Sequence, residues 1–338
     1  MAGIVDGGGF AGAMARPIAS RGDSVTGINT ADTRAAKPVK RRWHIRENLD
    51  LLLFCVPGIA VTVIFHYIPL YGVVIAFKKY SVRRGIFNSS WVGLANFERF
   101  FRSAHAGQII WNTIVISAYS IITSFPAAML LALTLNAFRH QKYRRVIQAV
   151  TYAPFFISTV VMCGMITLFL SPRVGVINTM IRSLGGTPVN FMGKAAYWRH
   201  IYVWTGVWQR MGWNSIIYFA ALSGVSPDYH EAAIVDGATK MQRVLHIDIP
   251  FLIPVATILL ILNFGEFFNV AFDKAFALQN DLNKSVSQII STYVYQLGLI
   301  DNDASFSTAV GLFNSAVNAV LLLSVNALAS KVSGNSLF

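Results

Sequence analysis

Six apolar stretches, each long enough to cross a bilayer, constrain this chain more than anything else in it. They run over about 51–77, 109–135, 148–170, 201–224, 251–272 and 306–329. A helix needs about twenty apolar residues to cross the hydrocarbon core, so each stretch reads as a transmembrane span. Composition agrees: of 338 residues, 54% are hydrophobic and 13% are charged. That charged share is about half the soluble average. Pro57, Pro69, Pro126 and Pro154 fall within or near the first three stretches. Membrane helices tolerate proline where neighbouring helices satisfy the freed carbonyls. The expected fold class is all-α, a polytopic membrane protein with six transmembrane helices.

The net charge of +13 does not point to nucleic acid. The basic residues flank apolar runs instead of forming one stripe, so lipid headgroups are the expected partner. Cys55 and Cys163 both lie in apolar runs, which argues against a disulfide framework and a metal site.

Residues 1–36 are rich in Gly, Ala, Ser and Thr and lack helical period. They read as a disordered cytosolic tail without the apolar core of a signal peptide, leaving 37–338 as the membrane domain. Lys37, Lys40, Arg41, Arg42 and Arg46 precede the first run and place the N-terminus inside. An even span count puts the C-terminus there too, with segments 136–147 and 225–250. Segments 78–108, 171–200 and 273–305 fall on the other side. Arg139, Lys142, Arg144 and Arg145 agree with this orientation, whereas Lys78, Lys79, Arg83 and Arg84 oppose it. Segment 91–101 carries aromatics at helical spacing. It suits either the membrane interface or a loop packed on the outer helix ends. Segment 285–299 reads as a surface helix able to touch an external partner.

Segment 225–250 is a polar interruption between two strongly apolar segments. Pro227, Asp228 and Glu231 suit the first turn of a helix over 227–236, and Gly237 supplies a left-handed stop. A second short helix fits 239–247 and is expected to end at Pro250. Ala232 and Ala233 allow close approach by another protein. His230-Glu231-Ala232-Ala233-Ile234 starts like a zinc-protease helix but has Ile234 where a second histidine is required. Gly7 to Gly12 spells GxGxxG with no room for a preceding strand.

The order Glu-Ala-Ala, three residues, Gly, nine residues, Ile-x-Leu-Pro is matched by Glu231, Ala232, Ala233, Gly237, Ile247 and Pro250, with Ile249 for Leu. This loop resembles the coupling loop of ABC importer membrane subunits. Trp91 to Phe97, Tyr293-Val294-Tyr295 and the terminal Gly334 to Phe338 extend the resemblance from about Asn48 onward. The chain is similar to carbohydrate-type permeases that handle polysaccharide fragments, in particular the larger permease of bacterial alginate importers. The resemblance implies a type I ABC importer transmembrane domain, multi-pass in the bacterial inner membrane, with both termini cytoplasmic. It also implies a second homologous permease subunit, two cytosolic ATPase subunits and a periplasmic solute-binding protein. Glu231, Ala232, Ala233, Asp236, Gly237, Ile247 and Pro250 become the expected ATPase-coupling residues. No Gly-x-x-x-x-Gly-Lys-Ser/Thr loop occurs, so ATP and Mg are expected on the partners, with no cofactor and no enzyme site here.

Polar groups at membrane depth usually face a bundle interior or water. Arg210, Trp213 and Asn214 share a face of the fourth span at i, i+3 and i+4. Asn263 and Glu266 share a face of the fifth, with Asn269 a turn on; Trp208 is a further candidate. Asn314 and Asn318 form a weaker pair on the sixth. Rings beside amides and a charge suit an oligosaccharide substrate. Packing between helices is an equal reading, and an Arg210–Glu266 ion pair is its specific form. The alginate-like resemblance implies an acidic substrate, and the planar fork of Arg210 suits a carboxylate. A neutral oligosaccharide is the alternative. An intramembrane enzyme would need paired carboxylates, a Ser/Lys pair or a metal cluster, yet Glu266 is the only carboxylate well inside a span. A channel would conduct without nucleotide.

Overall fold

The structure, a computed structural model, describes residues 49–138 and 140–333. The tail over 1–36, the cluster from Lys37 to Arg46, Arg139 and Gly334 to Phe338 lie outside the described residues. The chain divides into two units, residues 1–60 and 61–338. The described part of the first is the start of helix α1 (Leu49–Thr62), which contains Pro57.

In the second unit a π-turn over Val63–Tyr67 precedes a short helix, Ile68–Leu70, and a 3-10 stretch, Tyr71–Phe77. The wide turn has a cause: Pro69 lacks an N–H and its ring crowds the carbonyl four residues back. Ile68 donates instead to Val63 five residues back. A two-stranded antiparallel ribbon follows, β1 (Lys78–Lys79) and β2 (Ser90–Trp91), with Lys78 opposite Trp91. Lys78 donates to the carbonyls of Ile86 and Phe87, at 2.9 and 3.0 Å, and so closes the intervening loop.

Helix α2 (Ala95–Arg102) resolves the choice left open for segment 91–101. Phe100 is buried and meets Phe306 and Phe313 of the last helix, at 6.5 and 5.7 Å between ring centroids. Arg99 pairs with Asp303 at 2.6 Å. The segment is packed on helix ends, with Trp91, Leu94 and Phe101 left exposed.

The long helices then follow as α3 (Ala106–Ala137), α4 (Gln141–Tyr152), α5 (Thr159–Phe169) and α6 (Ala195–Leu222). Next come α7 (Pro227–Val235), α8 (Ile249–Gly265), α9 (Phe272–Leu278), α10 (Ile290–Tyr295) and α11 (Ala304–Ser333). The six-span expectation is not reached by length and composition. Among the described residues, four helical runs are long and apolar enough to cross a membrane: Leu53–Phe77, Ala106–Ala137, Lys240–Gly265 and Ala304–Lys331. The third expected span is bent by 97° between α4 with its 3-10 extension and α5, and makes a fifth only if the bent pair counts as one. Ser158 marks the break, accepting from the amide of Val161 as N-cap of α5. The fourth expected span, α6, has 28 residues but carries Arg199, His200, Gln209 and Arg210.

Two further expectations are corrected. Segment 285–299 is not a surface helix, because Ile289 and Ile290 are fully buried and Thr292 nearly so. Nor does Pro250 end the helix before it. Residues Lys240–Gly265 run as one helix through a π-turn over Val244–Asp248, where Ile249 donates to Val244. The wider turn removes the clash that would break an α-helix, and Pro250 sits in the first turn of α8, where its missing N–H costs little.

The core gathers in three clusters. One joins Ile116, Met162, Trp198, Tyr202 and Val207 to Ala275, Leu278 and Ile289, locking α9 against α3, α5 and α6. A second joins Phe100, Ile109, Phe268, Ile290, Phe306 and Val310. A third joins Ala128, Ala132, Tyr218, Leu222 and Leu252. Between apolar helices the gain is close packing and interhelical hydrogen bonds, since lipid is as apolar as leucine.

Candidate functional site

Polar side chains of α3, α6, α8 and α9 converge on one cavity of about 240 Å³. Arg210, Asn214, Asn263, Glu266 and Asn269 all line it, so residues chosen from three separate turns of sequence meet in space. Each of the five is exposed to the cavity or to open space in the isolated chain. Among the described residues no ion pair joins Arg210 to Glu266. Asn263 gives its amide to the carbonyl of Leu259, at 2.7 Å, and leaves its own oxygen free to face the cavity. Asn269 is partly committed to packing: its oxygen accepts from Asn314 and Asn318 of α11, at 3.0 and 3.1 Å. Asn318 in turn accepts from the amide of Phe268 at 2.8 Å. The sixth-span asparagines therefore fix the cavity floor instead of lining it.

The tryptophans lie elsewhere. Trp213 stacks on Phe155 with ring centroids 4.2 Å apart and planes 3° from parallel, outside the cavity. Trp208 is exposed and also outside it. A face read at i, i+3 and i+4 is broad enough to hold both a cavity wall and a helix contact.

Sequence reasoning missed Gln209 and the pair Tyr202–Lys274. Gln209 is buried and donates to the carbonyl of Ile157 at 2.9 Å, satisfying the backbone freed at the α4–α5 break. Lys274 is 5% exposed and lines the cavity from α9. Its Nζ donates to the backbone carbonyl of Tyr202 at 2.5 Å and lies 4.7 Å from the centroid of that ring. Helix α9 lies beyond the end of the fifth long helix at Gly265. Burial lowers its ammonium to about 7; Cys163 opposes the fall and the charge of Arg210 adds to it. The signal for Lys274 was its place, two residues past the fifth apolar run and between phenylalanines.

The loop over 225–250 follows its local signals closely. Ser226 caps α7, with Pro227 in the first turn. Gly237 has φ +80°; its amide donates to Ile234 and that of Ala238 to Ala233, at 3.0 and 2.8 Å. That is a Schellman stop, and it satisfies two terminal carbonyls. Thr239 and Gln242 then form a capping box. Glu231, Ala232 and Asp236 are exposed, as are Tyr229, Ile234, Val235 and Met241. Ile247 is half-buried beneath them. His230 Nε2 stands 3.4 Å from the buried Asp248, a contact that brings α7 against the foot of α8.

Known proteins share this architecture. A family described as "Binding-protein-dependent transport system inner membrane component" matches residues 124–334. Protein LplB of Bacillus subtilis (strain 168) is 38% identical over 304 residues, 90% of this chain and 96% of its own. From the same organism, the polygalacturonan/rhamnogalacturonan transport system permease protein YteP is 37% identical over 281 residues, 83% of this chain and 88% of its own. A chain from the crystal structure of a bacterial alginate ABC transporter, in complex with alginate pentasaccharide-bound periplasmic protein, superposes with a TM-score of 0.80. It is 32% identical, and the match covers 87% of this chain and 98% of that one. The chain belongs to the family of binding-protein-dependent transport system inner membrane components and is a permease subunit of a sugar ABC importer.

Proposed function

We propose that this permease carries an acidic oligosaccharide into the cytoplasm, using ATP hydrolysed by partner subunits. The observation that carries the reading is the cavity's charge. Arg210 and Lys274 line it together, with one carboxylate, Glu266, and neither cation paired to it among the described residues. A uronate chain brings one carboxylate per sugar, and each one entering a low-dielectric space needs a partner or water. The guanidinium fork of Arg210 suits two-point carboxylate binding. Asn214, Asn263 and Asn269 supply donors and acceptors for hydroxyls. The names of two relatives, a polygalacturonan/rhamnogalacturonan permease and an alginate transporter, support an acidic cargo.

Membership of the family supports the remaining parts of the proposed machine. A periplasmic binding protein delivers the sugar and a second permease closes the cavity. Two cytosolic ATPases receive the exposed α7 loop, with Ala232 and Ala233 allowing close approach and Glu231 and Asp236 making polar contacts. Both termini lie in the cytoplasm. Glu266 favours one competing reading, a neutral oligosaccharide held by amides alone. The full assembly with its binding protein, reconstituted in proteoliposomes, tests the choice. ATP hydrolysis should rise with oligouronates and much less with neutral oligosaccharides of equal length. Equal or greater stimulation by the neutral sugars overturns the acidic cargo and leaves the importer assignment standing.

A further inference from the structure

Lys274 occupies a position that packing alone does not explain. It sits nine-tenths buried at a cavity wall, on a helix otherwise turned inward through Ala275 and Leu278. An ammonium carries three donors. One reaches the Tyr202 carbonyl, and no carboxylate lies within ion-pair distance among the described residues. Space has been left for it: a Cβ on Gly206 would come 2.9 Å from Nζ. The groups that face it are Tyr202 and Arg210 on α6, Cys163 on α5, and Glu266 beyond the end of α8 across the cavity. Asp273, its neighbour on α9, is exposed. A buried cation with no counter-ion is costly, and an anion that binds beside it offsets that cost.

We propose that Lys274 is a specificity-determining residue, the cation that receives a carboxylate of the sugar as it passes Arg210. The inference rests on the acidic-cargo reading and names the group that enforces it. A sugar carboxylate placed between Lys274 and Arg210 relieves their mutual repulsion. It also supplies the anion that the buried ammonium lacks. Because burial brings Lys274 to about 7, the empty cavity holds it part protonated at neutral pH. A bound carboxylate favours the charged form, so the acidic sugar draws a proton in with it. The sign follows: binding of an oligouronate is tightest below pH 7 and weakens as pH rises. Uronate carboxyls stay ionised throughout, being carboxylic acids of ordinary strength. Each unit by which the sugar raises the Lys274 pKa separates the two limits by about tenfold in affinity. A purely structural lysine, tying α9 to α6, predicts no such dependence and no discrimination.

The test is equilibrium binding to the complete permease–ATPase assembly in nanodiscs, without binding protein, between pH 6.0 and 8.5. The probes are an oligouronate and the same oligosaccharide with its carboxyls reduced to alcohols. The wild type should prefer the oligouronate, with the preference falling roughly tenfold or more as pH rises. Lys274→Met should bind the reduced sugar as the wild type does, with the preference for the acid and its pH slope both lost. Lys274→Arg, charged at every pH, should keep the preference with a flat profile. A Met variant that keeps both preference and slope overturns the inference and leaves the acidic cargo standing. If the Met variant does not assemble, the Arg variant decides, since a retained wild-type slope places the titrating group elsewhere. A wild type that binds both sugars alike removes the acidic cargo and this inference with it.

Discussion

Gly237 separates what a residue does for the fold from what it does for function. Its φ of +80° is forbidding to an L-residue, yet a Cβ there would meet nothing within 4 Å. Substitution costs conformation alone, about 1–2 kcal/mol. Gly237→Ala should therefore lower thermal stability slightly and leave an assembled, membrane-inserted subunit. ATP-driven uptake should fall far more than abundance does, because the stop that aims α7 is lost; uptake in step with abundance would limit Gly237 to loop stability. This loop was legible in the sequence because its signals are local: a cap, a first-turn proline, a left-handed glycine. The cavity was legible only in part. Arg210, Asn214, Asn263, Glu266 and Asn269 declared themselves as polar groups in apolar runs. Lys274 did not, since a lysine in a connecting segment is unremarkable until α9 folds back onto α6. Trp213 misled because its face adjoins the cavity but its ring is taken by Phe155.

At the scale of elements, the α4–α5 break is the feature that apolar patterning concealed. The run over 148–170 reads as continuous because hydropathy does not register direction. The turn was written instead in Pro154 and Ser158, one limiting the helix before it and the other capping the helix after it. Gln209 completes the device from α6 by satisfying the Ile157 carbonyl. Gln209→Leu should leave that carbonyl buried and unpaired, at a cost of about 1–3 kcal/mol. Thermal denaturation in detergent should show it, and Gln209→Glu should restore little, because an ionised carboxylate has no proton to donate. Loss of uptake with unchanged stability would instead assign Gln209 to the sugar path.

For the whole molecule, orientation is the property that the helices do not declare. Basic residues flank spans on both proposed sides, and Lys78 is held within its own loop. The proposed docking of α7 onto cytosolic ATPases would fix the direction, and it predicts a labelling pattern. In a background lacking Cys55 and Cys163, a cysteine at Asp301 should react with an impermeant thiol reagent added outside. One at Asp236 should react only after the membrane is opened. The reverse pattern would remove both the orientation and the docking proposal.

The helix that passes through Pro250 has a mechanical meaning. At 1.5 Å per residue, the run from Lys240 to Gly265 is a rod of about 39 Å. One end adjoins the docking loop, where His230 clamps its foot, and the other stops one residue short of Glu266. A proline that ended the helix would have placed a hinge between them. The π-turn keeps the rod unbroken, so a tilt of about 5° at the loop swings the far end by about 3 Å. That displacement is about the length of a hydrogen bond. On the proposed function, tilting the rod would thus draw Asn263 away from a sugar that Arg210 and Lys274, mounted on other helices, still hold, letting go of the load one wall at a time.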